Sequence, residues 1–193
     1  MPVAAPPDQQ RRDARDNRAA ILDAARDLFA DSADVAMCQV AKRAGVGQAT
    51  LYRNFPSRSA LAAEILEENV ERIAAVAAEQ EGEPDAFFVL LRGLIDSMVN
   101  LYGVAVLARN DAATDSHLQR GRRRIAELLK EPLRDAKAAG TLRRDITQED
   151  VFLLLAMGRG AMEGLADSAA RSAVAHRVLS LQLTGIETSA GTA

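Results

Sequence analysis

The sequence predicts an all-α fold, with an N-terminal three-helix unit built on a helix-turn-helix and a larger C-terminal helical bundle, about nine helices in all. Three observations carry that expectation. The 193 residues are 48% apolar and 26% charged but only 4% aromatic, and they are rich in Ala, Leu and Arg, residues that cost little to fix in a helix. Apolar residues recur three and four apart along most of the chain, which sets one stripe on a helix rather than one face of a strand. Glycine and proline cluster between those stripes and punctuate them.

Residues 1–13 hold three prolines and two glutamines among scattered charges, with no apolar period, and are expected to be a disordered arm. Arg11, Arg12, Arg15 and Arg18 either solvate this end or add phosphate and minor-groove contacts. A first helix is expected from about Arg15 to Ala30, its stripe formed by Ile21, Leu22, Ala25, Leu28 and Phe29. After a short connection, Cys38 to Ala44 forms a second helix. Ala41 and Ala44 are small where helices cross, Gly45 can take the positive φ that closes a helix, and Val46 plugs the turn. In the third helix Leu51 and Phe55 lie four apart and point inward, leaving Gln48, Ala49, Tyr52 and Arg53 on the opposite stripe. A phenol, an amide and a guanidinium on one exposed face suit phosphates and base edges.

Pro56 blocks backward extension and Ser57 is a candidate N-cap for a long fourth helix carrying Leu61, Ile65, Leu66, Val70 and Ile73. Residues 79–85, EQEGEPD, break the chain. Ala86 to Tyr102 is expected as a helix with an apolar stripe wider than one face, interrupted by Gly103. A short helix over Val104 to Arg109 and a loop over Asn110 to Ser116 follow. From His117 the pattern resumes, with Pro132 expected to kink or divide the helix and Gly140 to end it. Two helices close the chain, about Gln148 to Leu165 and Ser168 to Thr184, and Gly185 to Ala193 are expected to fray. The expected units are therefore a flexible arm (1–13), a helix-turn-helix domain (14–60), a second, larger helical domain (61–185), to which the family resemblance given next assigns ligand binding and dimerisation, and a tail (186–193).

The motif spacing resembles the N-terminal domain of the tetracycline-repressor (TetR) family of transcription regulators. The matching residues are Val40, Ala41, Ala44-Gly45-Val46, Thr50-Leu51-Tyr52, Phe55-Pro56 and Arg58. Gly47 stands where serine is common, and Arg58 where lysine is common. Residues 139–145 resemble, more loosely, the bend before the family's penultimate helix.

The resemblance implies a dimer that reads double-stranded DNA at an inverted-repeat operator and responds to a small hydrophobic effector. The alternative is a DNA-binding regulator governed by a protein partner or by no ligand. Gln48 and Arg53 are the candidates for base edges, since the amide matches adenine and the guanidinium matches guanine in bidentate fashion. Thr50, Tyr52 and Arg58 are assigned to phosphate, with Ala49 on the same face and Asn54, Lys42 and Arg43 as lesser candidates. An effector site in the second domain is expected among Phe88, Leu91, Ile95, Met98, Tyr102, Leu107, His117, Leu128 and Met157. The last two helices are expected to pair with their twins, through Phe152, Leu155, Gly158, Met162, Val174, Val178 and Leu181. His176 could equally face the partner subunit.

Charge follows the same division. Residues 1–60 carry nine Lys and Arg against seven Asp and Glu, and residues 61–193 fifteen against twenty, so the helix-turn-helix end is the positive one. Neither a cofactor nor a metal is expected, because one cysteine and two histidines make no ligand set. An enzyme is disfavoured by the lack of a Gly-rich phosphate loop or a nucleophile elbow. The absence of a long apolar run or a leader makes the cytoplasm the expected compartment, with no membrane partner.

Overall fold

The computed structural model describes residues 7–165 and 167–186, and among them every extended element is an α-helix, with an isolated bridge at Leu142 and no strand. The order is α1 (Pro7–Asp31), α2 (Met37–Ala44), α3 (Gln48–Asn54), α4 (Arg58–Glu79), α5 (Ala86–Asn100), α6 (Tyr102–Ala108), α7 (Ala112–Ala138), α8 (Gln148–Ala161) and α9 (Ser168–Ile186). Residues 1–6 and 187–193, part of the expected arm and tail, lie outside the described residues.

The first correction concerns α1, which begins at Pro7 and not near Arg15. Proline at a first helical position loses nothing, because its missing N–H would be unpaired there anyway. The polar residues that follow are good helix formers without an apolar stripe, so periodicity could not reveal them. A second correction is the expected loop at 110–116, where α7 already starts at Ala112. Asp111 caps it, accepting a hydrogen bond from the Thr114 amide at 2.8 Å. Pro132 sits inside α7 without dividing it, at the cost of the bond its absent N–H would have given the carbonyl of Leu128.

Two apolar cores form. The first joins Ile21, Phe29, Val40, Leu51, Phe55, Leu61 and Leu66, and is completed by Val104 and Leu107 of α6. The second is built from the end of α4 with α5, α7, α8 and α9. Because α4 contributes Leu61 to Leu66 to the first core and Ile73 to the second, it is shared between them. The packing therefore runs past residue 60, where a boundary between units was expected.

The α5–α6 break falls at Leu101 rather than Gly103, with the two helices bent by 70°. Gly103 lies within α6, where a Cβ would collide with the backbone carbonyl oxygens of Phe29 and Ser32. Only glycine lets α6 approach the C-terminal end of α1 this closely. A second tie crosses the same junction. Arg171 of α9, 1% exposed, donates from Nη2 to the Ala30 carbonyl at 2.7 Å and from Nη1 to the Leu165 carbonyl at 2.9 Å. Its guanidinium stacks 4.5 Å above the Tyr102 ring, and Asp31 adds a carboxylate oxygen at 3.3 Å. The last carbonyls of a helix have no intrahelical donors, so an arginine of α9 caps the end of α1. Among the described residues no single helix is long and apolar enough to cross a membrane.

Candidate nucleic-acid interface

The helix-turn-helix forms as its residues dictate. Helix α2 is closed by Gly45 at φ 69°, ψ 22°, the left-handed conformation that favours glycine, and the Val46 amide bonds back to the Ala41 carbonyl at 3.0 Å. Ala36, the N-cap of α2, has no side-chain acceptor, but Gln39 Oε1 accepts from its backbone amide at 3.0 Å. Helix α3 starts at Gly47, whose φ of −69° is open to any residue and which supplies no side-chain cap. Leu51 and Phe55 are fully buried on the inner side of α3, which fixes the rotation of the short helix. Arg18 of α1 stacks 4.6 Å over the Phe55 ring and pairs with Glu64 at 2.5 Å. Arg18 is thereby held inside the head, while Arg11, Arg12 and Arg15 are exposed.

That rotation presents Gln48, Ala49, Tyr52 and Arg53 to solvent. Tyr52 is 50% exposed, so its ring is not part of the head's core. Arg53 Nη2 donates to Thr50 Oγ1 at 3.1 Å, a bond that leaves the other guanidinium donors free for an acceptor. Two of the expected contact residues also have partners within the protein. Asn54 is half-buried and its Nδ2 donates to the Thr50 carbonyl at 2.8 Å, closing α3. Arg58, at the start of α4, reaches Asp34 at 3.3 Å and holds α4 against the α1–α2 connection. Lys42 is exposed, and Arg43 pairs with Asp27 at 2.8 Å in an exposed bridge of the kind that opens at little cost.

The second domain contains a cavity of about 210 Å³ between α4, α5, α7 and α8. Of the nine residues expected around an effector, Met98 lines it. Leu91 and Ile95 are buried in the second core, with Phe88 and Leu128 packed against it. Leu107 belongs to the first core, Tyr102 is covered by Arg171, and His117 faces Arg120 at 2.6 Å on the surface of α7. Met157 is exposed on α8. The difference between the expected set and the cavity lining has a simple origin, since apolar periodicity finds buried faces and does not distinguish a filled interior from one with room. Residues it passed over do line the cavity, including the buried polar pair Asn69 and Ser97 and the rim arginines Arg122 and Arg159.

The residues of α8 and α9 expected to pair with a twin differ in exposure within the single chain. Met162 is fully buried, and Gly158 is buried where a Cβ would stand 3.0 Å from the Met98 methyl; both face their own core. Phe152 and Leu155 turn partly toward the cavity, and Val174 and Val178 are half-buried. What remains outside is Leu153 at 57%, Met157 at 54% and Leu181 at 60% exposure. Leu153 and Met157 lie one turn apart on α8, so they share a face. His176 meets Asp96 of α5 at 3.1 Å within the chain.

A glycine-closed pair of short helices with an unobstructed polar face on the second defines a helix-turn-helix regulator of transcription, a DNA-binding protein. Residues 21–65 match the bacterial regulatory proteins of the tetR family, and residues 83–188 match the C-terminal domain described as transcriptional regulator SbtR-like. The chain belongs to the tetR family. Among solved structures it is similar to a TetR transcription regulatory protein from Mycobacterium vanbaalenii, with 30% identity over 93% of this chain and 99% of that one and a TM-score of 0.66. A TetR transcriptional regulator from Streptomyces coelicolor gives 31% identity, 90% and 99% coverage and a TM-score of 0.67. A transcriptional regulator from Saccharomonospora viridis solved with choline shares the fold at 17% identity, 89% and 98% coverage and a TM-score of 0.65. No curated protein matched the sequence.

Proposed function

We propose that the protein is a homodimeric repressor that grips an inverted-repeat operator through α3 and lets go when a small effector occupies the cavity of the second domain. The observation that carries the DNA half is the exposed row Gln48, Tyr52 and Arg53 opposite the buried Leu51 and Phe55. A single seven-residue reading helix makes too few contacts for useful selectivity, and two heads related by a twofold axis enter major grooves one turn apart, ~34–36 Å. Leu153 and Met157, one turn apart on α8, and Leu181 on α9 are large apolar side chains left exposed in the single chain, which supports a pairing face on these two helices.

The release half is supported by shared walls. Leu66 lines the cavity and also belongs to the first core. Leu101, at the α5–α6 bend, and Leu118 of α7 line the cavity while packing against that same core. An occupant that pushes these side chains shifts α4 and α6 against α1. The operator is released only if the effector favours the non-binding arrangement over the binding one, and by no more than that difference. Selection of bound fragments from random duplexes, followed by sizing of the complex, tests the proposal. Enrichment of palindromes bound two chains per duplex is the expected result, and enrichment of non-palindromic sites bound by one chain contradicts it.

A further inference from the structure

Taking the cavity as the effector site, on which this inference rests, we propose that the effector is a compact organic anion, an apolar body bearing a single carboxylate. The lining is apolar over most of its surface, with Leu66, Val70, Leu94, Met98 and Phe152 among its walls. Its charged members are Arg122 of α7 and Arg159 of α8, and no acidic side chain lines it.

Neither arginine has an ion-pair partner among the described residues. Several other arginines, among them Arg18, Arg26, Arg109, Arg124 and Arg171, face carboxylates. The contrast is sharpest on α7 itself. Arg124, two residues from Arg122, bridges to Glu67 and Glu71, while Arg122 lies 4.5 Å over the ring of Phe152. That stacking orients the guanidinium at the wall of the cavity and leaves its edge donors unspent.

The interior polar groups lean the same way. Asn69 Oδ1 accepts from Arg72, and Ser97 Oγ donates to the Gly93 carbonyl at 2.8 Å while taking a long contact from Arg72 at 3.5 Å. Gln119, exposed at the rim, is the exception, since it gives its Nε2 to Asp115 at 3.4 Å and keeps its Oε1 as an acceptor. The amide N–H groups of Asn69 have no acceptor among the described residues. The dominant unspent functions are therefore donors, and a ligand group that only accepts and carries negative charge complements them. Arg122 and Arg159 are exposed at the mouth, so they remain hydrated until an anion replaces their water. At about 210 Å³ the space is below the ~300–1,000 Å³ of sites for drug-sized ligands, which restricts the body to a medium alkyl chain or one aromatic ring.

Calorimetric titration of the full-length protein with octanoate, 1-octanol and octylamine, and with benzoate, benzyl alcohol and benzylamine, separates the anion from the site. The expected result is that a carboxylate binds at least about tenfold more tightly than its alcohol, as charge-assisted hydrogen bonds exceed neutral ones, and that the amine is weakest. Arg122→Gln and Arg159→Gln are expected to erase most of the acid-over-alcohol ratio while leaving alcohol affinity and melting temperature unchanged. Equal or tighter binding of the alcohols or amines, lost when Ala105→Phe fills the cavity, overturns the anion and keeps the site. If none of the six probes binds, or if binding survives Ala105→Phe, the cavity reading falls with it. A ratio that persists in both arginine variants removes those residues and overturns the proposal.

Discussion

Replacing Arg171 by methionine isolates the tie between α9 and the end of α1, because methionine keeps most of the apolar stem and removes the guanidinium. Two short bonds disappear, to Ala30 at 2.7 Å and Leu165 at 2.9 Å. Hydrogen bonds from charged donors contribute about 1.5–3 kcal/mol each, so the gross loss is ~3–6 kcal/mol. The wild type already carries a cost in the same place, since Nε of Arg171 is buried without a partner, and relieving it returns ~1–3 kcal/mol. Asp31 is 60% exposed and is left hydrated rather than stranded. The net is a loss of about 2–3 kcal/mol, which for a chain of this size lowers the melting temperature by ~4–12 °C. Thermal unfolding at matched protein concentration measures it, since the proposed dimer would make Tm concentration-dependent. A melting temperature within about 1 °C of wild type refutes the reasoning, because it means that water serves the Ala30 and Leu165 carbonyls as well as arginine does.

Three further outcomes follow from the head, the outer face and the caps. Gly45→Ala forces a Cβ into φ 69° and is expected to cost about 1–2 kcal/mol, whereas Gly47→Ser, at φ −69° with open space around the new Cβ, gains up to ~1 kcal/mol by capping α3 and stiffening the unfolded chain; opposite shifts in urea midpoint check the pair. Leu153→Asp with Met157→Asp is expected to give monomers by sedimentation without lowering helicity, since both side chains are exposed in the single chain. Hydrogen bonds from the Thr114 side chain and backbone, and from Ser59, hold the Asp111 carboxyl below its ordinary value, and those from Thr147 do the same for Asp150. A depressed carboxylate stabilises the fold above its unfolded pKa, near 3.8, and that contribution disappears as pH falls through the lower folded value. Acid unfolding should therefore begin at higher pH in Asp111→Asn than in wild type.

The helix-turn-helix was legible because each of its constraints is local: Gly45 for the turn, Leu51 and Phe55 for the inward face, Ser57 for the start of α4. Ser57 Oγ accepts from the Ala60 amide at 3.0 Å as that pattern implies. Long-range facts were not written in a period. Arg171 reads as a surface arginine on a weakly patterned helix, yet it is buried because its acceptors lie some 140 residues away. Gly158 and Met162 share a stripe with residues that do face outward, and only the rotation of α8 against Met98 separates them. The cavity has the same character, since Asn69 and Ser97 are polar breaks in apolar stripes and gain meaning once α4 and α5 are packed together.

The central claim is that the exposed row on α3 reads DNA, and the most direct test is titration of a selected operator, at fixed salt, by wild type and by Gln48→Ala with Arg53→Ala. Both residues are exposed, so the variant should keep its fold and the wild type's oligomeric state. Removing a side chain that hydrogen-bonds a base edge costs about 1–3 kcal/mol. The expected result is a fall of at least about tenfold in operator affinity, with binding to unrelated duplex little changed and single-base preferences flattened at the matching positions of both half-sites. Unchanged operator affinity with base preferences intact would contradict the claim and place the reading surface elsewhere on the molecule.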